Sequence, residues 1–314
     1  MNTQHLKYAV EVERTGSISK AAENLYMNQP HLSKTIRELE ESLGIVIFKR
    51  TTKGVVPTKQ GAAFLVHAKK ILSQVKELES LYKPDTDGTV KFDIAVPRAS
   101  YISHAFTEFA RAMCGGEAFS FNYRETNSIA TIKNVADGEN NMGIVRYQNA
   151  HEPYYMNMIK EKGLKFETIL SFSYLALMSR NHPLARKERI DLSEFSKYIQ
   201  ITHGDSFVIS IPTGGWADAP IGSEKRREIA VYERGSQFEL LRRIETSYMW
   251  VSPVPDEVLK TFSLVQRSCP SANNLHKDIL IYRDDYVFSD ADKSFIAKLR
   301  EVAQSAKEQD SGSI

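Results

Sequence analysis

The stretch SISKAAENLYMNQPHLSKTIRELEESLG, residues 17–44, decides the fold of the N-terminal region. Ser17 is placed to cap a short helix over 18–25, whose apolar face is Ala21, Ala22 and Leu25. Tyr26-Met27-Asn28 makes a brief turn. Asn28 then caps a second helix, and Pro30 falls in its first turn, where a missing N–H costs nothing. Leu32, Ile36, Leu39 and Leu43 recur at spacings of 4, 3 and 4, and Gly44 is placed to end the helix in a left-handed conformation. Two short helices around a tight turn, the second with a polar outer face, make a helix-turn-helix pattern. A second helix of this kind fits the DNA major groove and reads bases with its N-terminal residues. Here these are Asn28, Gln29, Pro30, His31, Ser33 and Lys34. Gln29 can hold adenine with two hydrogen bonds, while Lys34 and Ser33 reach phosphates or base edges. Glu38, Glu40 and Glu41 lie at the far end, away from phosphate. The competing reading is an ordinary helical hairpin with a solvated polar face.

Outward from this stretch, residues 3–14 carry Leu6, Ala9, Val10 and Val12 at helical spacing, and Gly16 stops that helix. On the other side, residues 45–50 and 55–58 are β-rich and flank a Lys53-Gly54 turn, which predicts a hairpin. A hairpin directly after a helix-turn-helix reads as a wing, with Arg50 and Lys53 reaching phosphates or the minor groove. From Thr58 the period turns helical again. Phe64, Ala68, Ile71, Val75, Leu78 and Tyr82 follow spacings of 4, 3, 4, 3 and 4, a heptad seam. Its simplest partner is the same helix of a second chain; packing onto its own domain is the alternative.

Ala21-Ala22-Glu23-Asn24-Leu25, Gln29-Pro30-His31-Leu32-Ser33, Ile36, Leu39-Glu40, Leu43-Gly44, Phe48-Lys49-Arg50 and Thr58-Lys59-Gln60-Gly61 together resemble the LysR-type transcriptional regulators. Departures are small. Asn28 stands where the family often has Ser, Lys34 where Arg is common, and Ile47 where Leu is usual. The resemblance implies an α+β, multidomain chain. Its parts would be a winged helix-turn-helix over about 1–58, with its core motif near 18–37, and a dimerising linker helix near 59–83. A C-terminal effector-binding domain shaped like a periplasmic binding protein would cover about 89–306. It also implies a homotetramer built as a dimer of dimers, with double-stranded DNA, a small-molecule effector and RNA polymerase as partners.

The C-terminal region reads independently as α/β. Pro84-Asp85-Thr86-Asp87-Gly88 marks a hinge. After it, strands at 89–96, 119–124 and 142–145 alternate with helices at 100–113 and 128–136, which argues for a mostly parallel sheet. A second unit is expected to open near Phe166 with a strand over 170–178, followed by the His182-Pro183-Leu184-Ala185 segment, which also looks LysR-like. Further elements are a short helix opened at Asp191, strands at 198–202 and 248–251, and a capping box at Ser236–Glu239. A strand at 278–282 and a helix at 290–306 close the chain. This gives subdomain I over about 89–165 and 269–306, and subdomain II over about 166–268. Ligands in such sheets bind at the carboxyl ends of strands, in the crevice between halves. That singles out Arg98, Ser100, Thr126, Asn127, Ser128, Arg146, Thr202 and His203. Helix starts near Ser100 and Ser128 could hold an anion, and Arg98 and Arg146 could clamp a carboxylate or phosphate. The alternative makes Ser100 and Ser128 plain N-caps, the arginines surface pairs and His203 a loop residue. The loop over 204–222 matches no readable pattern.

Composition narrows the remaining classes. The chain has 314 residues, with 42% hydrophobic and 25% charged, the balance of a soluble globular protein. Residues 1–83 carry 13 Lys and Arg against 8 Asp and Glu, and the remainder carries 28 against 31. The basic end points to an anionic partner there. No apolar run is long enough to span a membrane, and the polar N-terminus lacks a signal core. Cys114 and Cys269 cannot build a disulfide framework, so the expected compartment is a reducing bacterial cytoplasm. The histidines show no paired metal-ligand spacing, and there is no phosphate-binding loop, nucleophile elbow or dinucleotide fingerprint. No cofactor, metal or catalytic site is expected. A solute-binding protein whose helical N-terminus only mediates oligomerisation is the other function class, and the wing speaks against it.

Overall fold

The computed structural model describes residues 2–52, 54–82, 88–116, 118–204, 227–270 and 275–311. The chain divides into two compact units, one ending at Gly88 and one running from Thr89, the short segment Asp137–Glu139 aside.

The first unit holds α1 (Thr3–Thr15), α2 (Ile18–Asn24), α3 (Gln29–Leu43), the antiparallel hairpin β1 (Phe48–Thr51) and β2 (Gly54–Pro57), and α4 (Lys59–Tyr82). Local chemistry sets each boundary. Asn2, Ser17 and Asn28 cap the first three helices through their side-chain oxygens. Gly16 and Gly44 end α1 and α3 at φ of 62° and 65°, in the left-handed region where a Cβ is penalised. Ala9, Val12, Ala21, Ala22, Leu32 and Leu39 meet in one core, each at most 2% exposed.

Three close contacts lock the hairpin and α4 onto this core. The Glu40 carboxylate accepts from the N–H groups of Ile47 and Phe48 at 2.7 and 3.0 Å, fixing the entry to β1. Thr58 donates its hydroxyl to the Val46 carbonyl at 2.6 Å and accepts from the Gly61 N–H at 2.9 Å. A Cβ on Gly61 would stand 1.9 Å from the Ile47 carbonyl, so only glycine lets α4 start here. The Val55 N–H donates to the Gly16 carbonyl at 2.8 Å, an approach that Gly54 permits.

The second unit begins with β3 (Val90–Val96), α5 (Ser100–Met113), β4 (Phe119–Glu125), α6 (Ser128–Ala136), β5 (Met142–Gln148), α7 (Glu152–Glu161) and β6 (Leu164–Ser173). It continues with β7 (Leu175–Ser179), β8 (Ile199–His203), β9 (Glu228–Val231), α8 (Gln237–Arg243), β10 (Ser247–Val251), α9 (Asp256–Phe262), β11 (Leu264–Arg267), β12 (Leu275–Arg283) and α10 (Asp290–Ser311). One sheet has the order β4-β3-β5-β12-β6 and the other β11-β7-β10-β8-β9. Helices cover both faces of the first sheet. Phe92, Phe109 and Phe295 pack on one side, and Ile132, Val145, Ile159 and Ile279 on the other.

Three expectations need correction. The sheets are mixed rather than mostly parallel, because β12 runs antiparallel to β5 and β6, and β7 antiparallel to β10 and β11. The crossover into the second subdomain lies at Tyr174, not near Phe166. Leu164–Ser173 stays in the first sheet by pairing along β12, and the expected strand over 170–178 is two strands in two sheets. At α8 the Ser236 side chain caps nothing; Glu233 accepts from the Ser236 N–H and hydroxyl instead. Cys269 packs in the core of the second subdomain and Cys114 is exposed. The residues 205–222 of the unread loop lie outside the described residues.

His182 explains the His-Pro-Leu-Ala segment. Its ring is 2% exposed, its Nδ1 accepts from the Leu184 N–H at 3.1 Å, and it packs on Tyr198 at 4.4 Å. Burial lowers its pKa to about 4. Between there and the ordinary value near 6.5 the unfolded chain binds the extra proton, so stability rises with pH across that window. His182→Asn is expected to flatten this dependence, worth up to ~3 kcal/mol between pH 6.5 and 4, in urea melts across that range. Glu40→Ala removes two charge-assisted bonds and is expected to cost about 1.5–3 kcal/mol in the same assay.

Candidate functional sites

Two arrangements in the structure can bind a partner. The first is the outer surface of α3. Asn28 accepts from the His31 N–H at 2.9 Å, which positions the start of the helix. Pro30, His31, Lys34 and Arg37 are exposed, and Gln29 and Ser33 are half-buried. Lys34 pairs with Glu38 at 3.6 Å on the same helix, a surface contact that leaves its ammonium accessible. Arg50 is exposed on β1, opposite Val55 of β2. Lys53 lies outside the described residues. The sequence reading passed over Arg37, one turn beyond Lys34 on the same face; the i, i+3 spacing was the available signal.

The heptad seam of α4 divides in the structure. Ala68 is buried and Phe64 packs against the core of its own unit, as does the neighbouring Leu65. Lys69 pairs with Glu13 of α1 at 3.0 Å. Farther along, Ile71 and Leu78 are 38% and 56% exposed, and Val75 is half-buried. Tyr82 ends the helix, and its side chain lies outside the described residues. The seam therefore divides: its first turns pack on the domain itself, while Ile71 and Leu78 in the later turns are exposed.

The second arrangement is a cavity of about 70 Å³ between the two subdomains of the C-terminal unit. Its floor is a buried ion pair. Arg146 on β5 lies opposite Asp278 on β12, and two guanidinium nitrogens donate to the two carboxylate oxygens at 2.8 and 2.6 Å. Tyr101 donates its hydroxyl to Asp278 at 2.5 Å. Asp278 has no exposed surface, and the β12–β6 register shifts just after it, so a bulge aims its side chain. Burial works against the Arg146 charge, but the Asp278 carboxylate outweighs it and holds the guanidinium above its ordinary range. Burial, then the Asp278 charge, push the Tyr101 phenol well up, so it stays a donor.

Arg98 and Arg234 stand at the wall of the same cavity. Arg98 donates to the Tyr232 carbonyl at 3.2 Å and faces Glu125 at 3.8 Å; Arg234 pairs with Glu125 and reaches Ser100 Oγ at 3.4 Å. Of the eight expected ligand residues, Arg98, Ser100, Arg146 and His203 line the cavity. The other four are not among its lining residues. The Thr126 N–H donates to the Val96 carbonyl, Asn127 caps α6 through the Ala130 N–H, and Ser128 exchanges two hydrogen bonds with the Arg146 backbone. Thr202 donates to Glu228. Ser128 is thus not the N-cap, and neither is Ser100, which follows the extended Ala99 as the first residue of α5. Nor is Arg146 an open clamp, since Asp278 already holds it. Sequence reasoning missed Tyr174, Arg234, Gln237 and Trp250 in the wall. For Trp250 the signal was present: it lies at the carboxyl end of β10, where the strand-end rule applies.

Residues 3–62 match the family described as "Bacterial regulatory helix-turn-helix protein, lysR family". That segment carries the helix-turn-helix domain of the LysR family. Among the relatives of this chain is the HTH-type transcriptional regulator AlsR of Bacillus subtilis, 23% identical over 84% of this chain and 83% of AlsR. Another is the uncharacterized HTH-type transcriptional regulator YnfL of Escherichia coli, 27% identical over 62% of this chain. There the match spans 63% of the relative's length. A full-length OxyR variant from Pseudomonas aeruginosa has the same fold, with a TM-score of 0.61 at 18% identity over 97% of both chains. Both relatives are named as transcriptional regulators.

If Gln29 reads a base, Gln29→Ala should lose about 1–3 kcal/mol of discrimination at one base pair while affinity for random duplex stays near that of the parent. Gel shifts against single-position operator variants would check this, and unchanged discrimination would remove Gln29 from the reading set.

Proposed function

We propose that this chain is a LysR-type, sequence-specific transcriptional regulator that inserts α3 into the major groove, with the β1–β2 hairpin as its wing. The observation that carries this reading is the exposed polar face of α3 beside an exposed Arg50, all held on one small, tightly locked core. Asn28, Gln29, Pro30, His31, Ser33, Lys34, Arg50 and Lys53 form the DNA-reading set, with Arg37 added. The stripe of Ile71, Val75 and Leu78 pairs two chains, and two such dimers make the tetramer. The N-terminal unit then serves as the DNA-binding domain and α4 as the linker. RNA polymerase is the expected downstream partner.

The cavity between the two α/β subdomains takes a small acid as effector. Arginine forks suit a carboxylate, and the cavity wall comes from both subdomains, so an occupant there favours one relative arrangement of the halves. The effector acts by binding two states of the assembly with different affinity.

Affinity for duplex DNA should fall steeply with salt, because Lys and Arg contacts release counterions from the phosphates. Filter binding of the full chain to its own promoter DNA between about 50 and 200 mM salt tests this; absence of binding even in dilute buffer would overturn the reading. In a thermal-shift screen of metabolites, small carboxylic acids should raise the melting temperature, since a ligand of the folded state stabilises it. Shifts from neutral or cationic compounds alone would overturn the effector part.

A further inference from the structure

The turn between α2 and α3 carries a residue that the stability of the domain does not account for. Leu25 ends α2, and the next residue, Tyr26, has a φ of 52°. Its N–H donates to the Glu23 carbonyl at 3.1 Å, and the Met27 N–H donates to the Ala22 carbonyl at 3.0 Å. This pair of bonds is the Schellman ending of a helix, with Tyr26 at the left-handed position that glycine most often fills. A Cβ is penalised there, and a bulky aromatic is an outlier. Packing recovers none of that cost. Tyr26 is 99% exposed, while Leu25 and Met27 on either side pack against the domain core. Backbone strain of this kind collects at functional sites.

We propose that Tyr26 contacts the backbone of bound duplex DNA, donating its phenolic hydroxyl to a phosphate oxygen on the strand that borders the groove entered by α3. The inference rests on the reading of α3 as the groove-binding helix. In a helix-turn-helix the first helix crosses the sugar-phosphate backbone, and the second sets its N-terminal residues against base edges. The turn that joins them therefore passes from backbone to groove. Tyr26 lies two residues before Asn28, whose side chain caps α3, so it stands at that crossing. A phenol carries its donor at the far end of a rigid ring, and tyrosine is among the side chains that position a protein on phosphates. Being neutral, it fixes register on the duplex without the counterion release that lysine and arginine contacts bring.

Two substitutions in the full chain test this, by filter binding to its own promoter DNA and to random duplex, alongside thermal melts. Tyr26→Phe keeps the ring and removes the hydroxyl. It should weaken binding to both duplexes by the same factor, about three- to tenfold, the scale of one lost hydrogen bond. The slope of affinity against salt and the melting temperature should stay as in the parent. Tyr26→Gly relieves the backbone, so it should melt at or above the parent temperature while binding DNA at least as weakly as Tyr26→Phe. Stability and affinity then move apart, which a merely structural tyrosine would not produce. Parent-like affinity in both variants overturns the contact. So does a loss confined to promoter DNA, which would make Tyr26 a base reader, and so does a loss that comes with a lower melting temperature in both variants. If the parent chain binds neither duplex even in dilute buffer, the groove-binding reading beneath the proposal fails instead.

Discussion

Asp278 lies on the central part of β12 with no access to water, and a carboxylate in that position is costly unless a matched cation and further donors surround it. Arg146 supplies the cation from the neighbouring strand and Tyr101 supplies a hydroxyl from α5. Three elements of the first subdomain therefore meet at one charged point, and that point is the floor of the cavity. Arg146 also reaches the Arg98 carbonyl at 3.2 Å, and its guanidinium lies 4.8 Å from the centre of the Phe172 ring. The ion pair thus orders the loop that carries Arg98 as well as the strands. Breaking either side would strand a buried charge, a larger penalty than the pair's own net contribution.

The N-terminal unit solves a different problem, which is to hold a hairpin and a long helix on a small core. It does so with two close backbone approaches and a few directed polar contacts. Glycine at 61 lets the helix backbone approach the Ile47 carbonyl, and glycine at 54 lets the hairpin approach the end of α1. Glu40 directs its charge to two backbone N–H groups rather than to solvent. Lys69 and Glu13 add a tie between α1 and α4. The sequence reading placed Glu40 only as a glutamate kept away from phosphate, because a carboxylate that reaches seven and eight residues ahead leaves no periodic trace.

Legibility followed the range of the interaction. Helix caps and stops are set within four residues, so Ser17, Asn28, Gly16 and Gly44 could be read in place. The passage from β6 to β7 could not. It occurs at Tyr174 inside an apolar run without glycine or proline, and it is fixed by pairing with β12, about a hundred residues away in the chain. Helices α7 and α9 were missed too, since each is short and its stripe is narrow. In the cavity, the strand-end rule found Arg98, Ser100, Arg146 and His203 but extended to Thr126, Asn127, Ser128 and Thr202, which are not among its lining residues; the side chains of Asn127, Ser128 and Thr202 bond the Ala130 N–H, the Arg146 backbone and Glu228. Arg234 escaped because it follows β9, a strand that sequence patterning did not show.

On α3 the inward face and the stabilising contacts belong to Leu32, Thr35, Ile36, Leu39 and Glu40, while His31, Lys34 and Arg37 project outward. The outward set is nearly idle in maintaining the domain. Such separation lets mutation sample new outer side chains cheaply over generations, one after another, without passing through unfolded ancestors. Replacements at these outer positions can therefore accumulate while the architecture stays put.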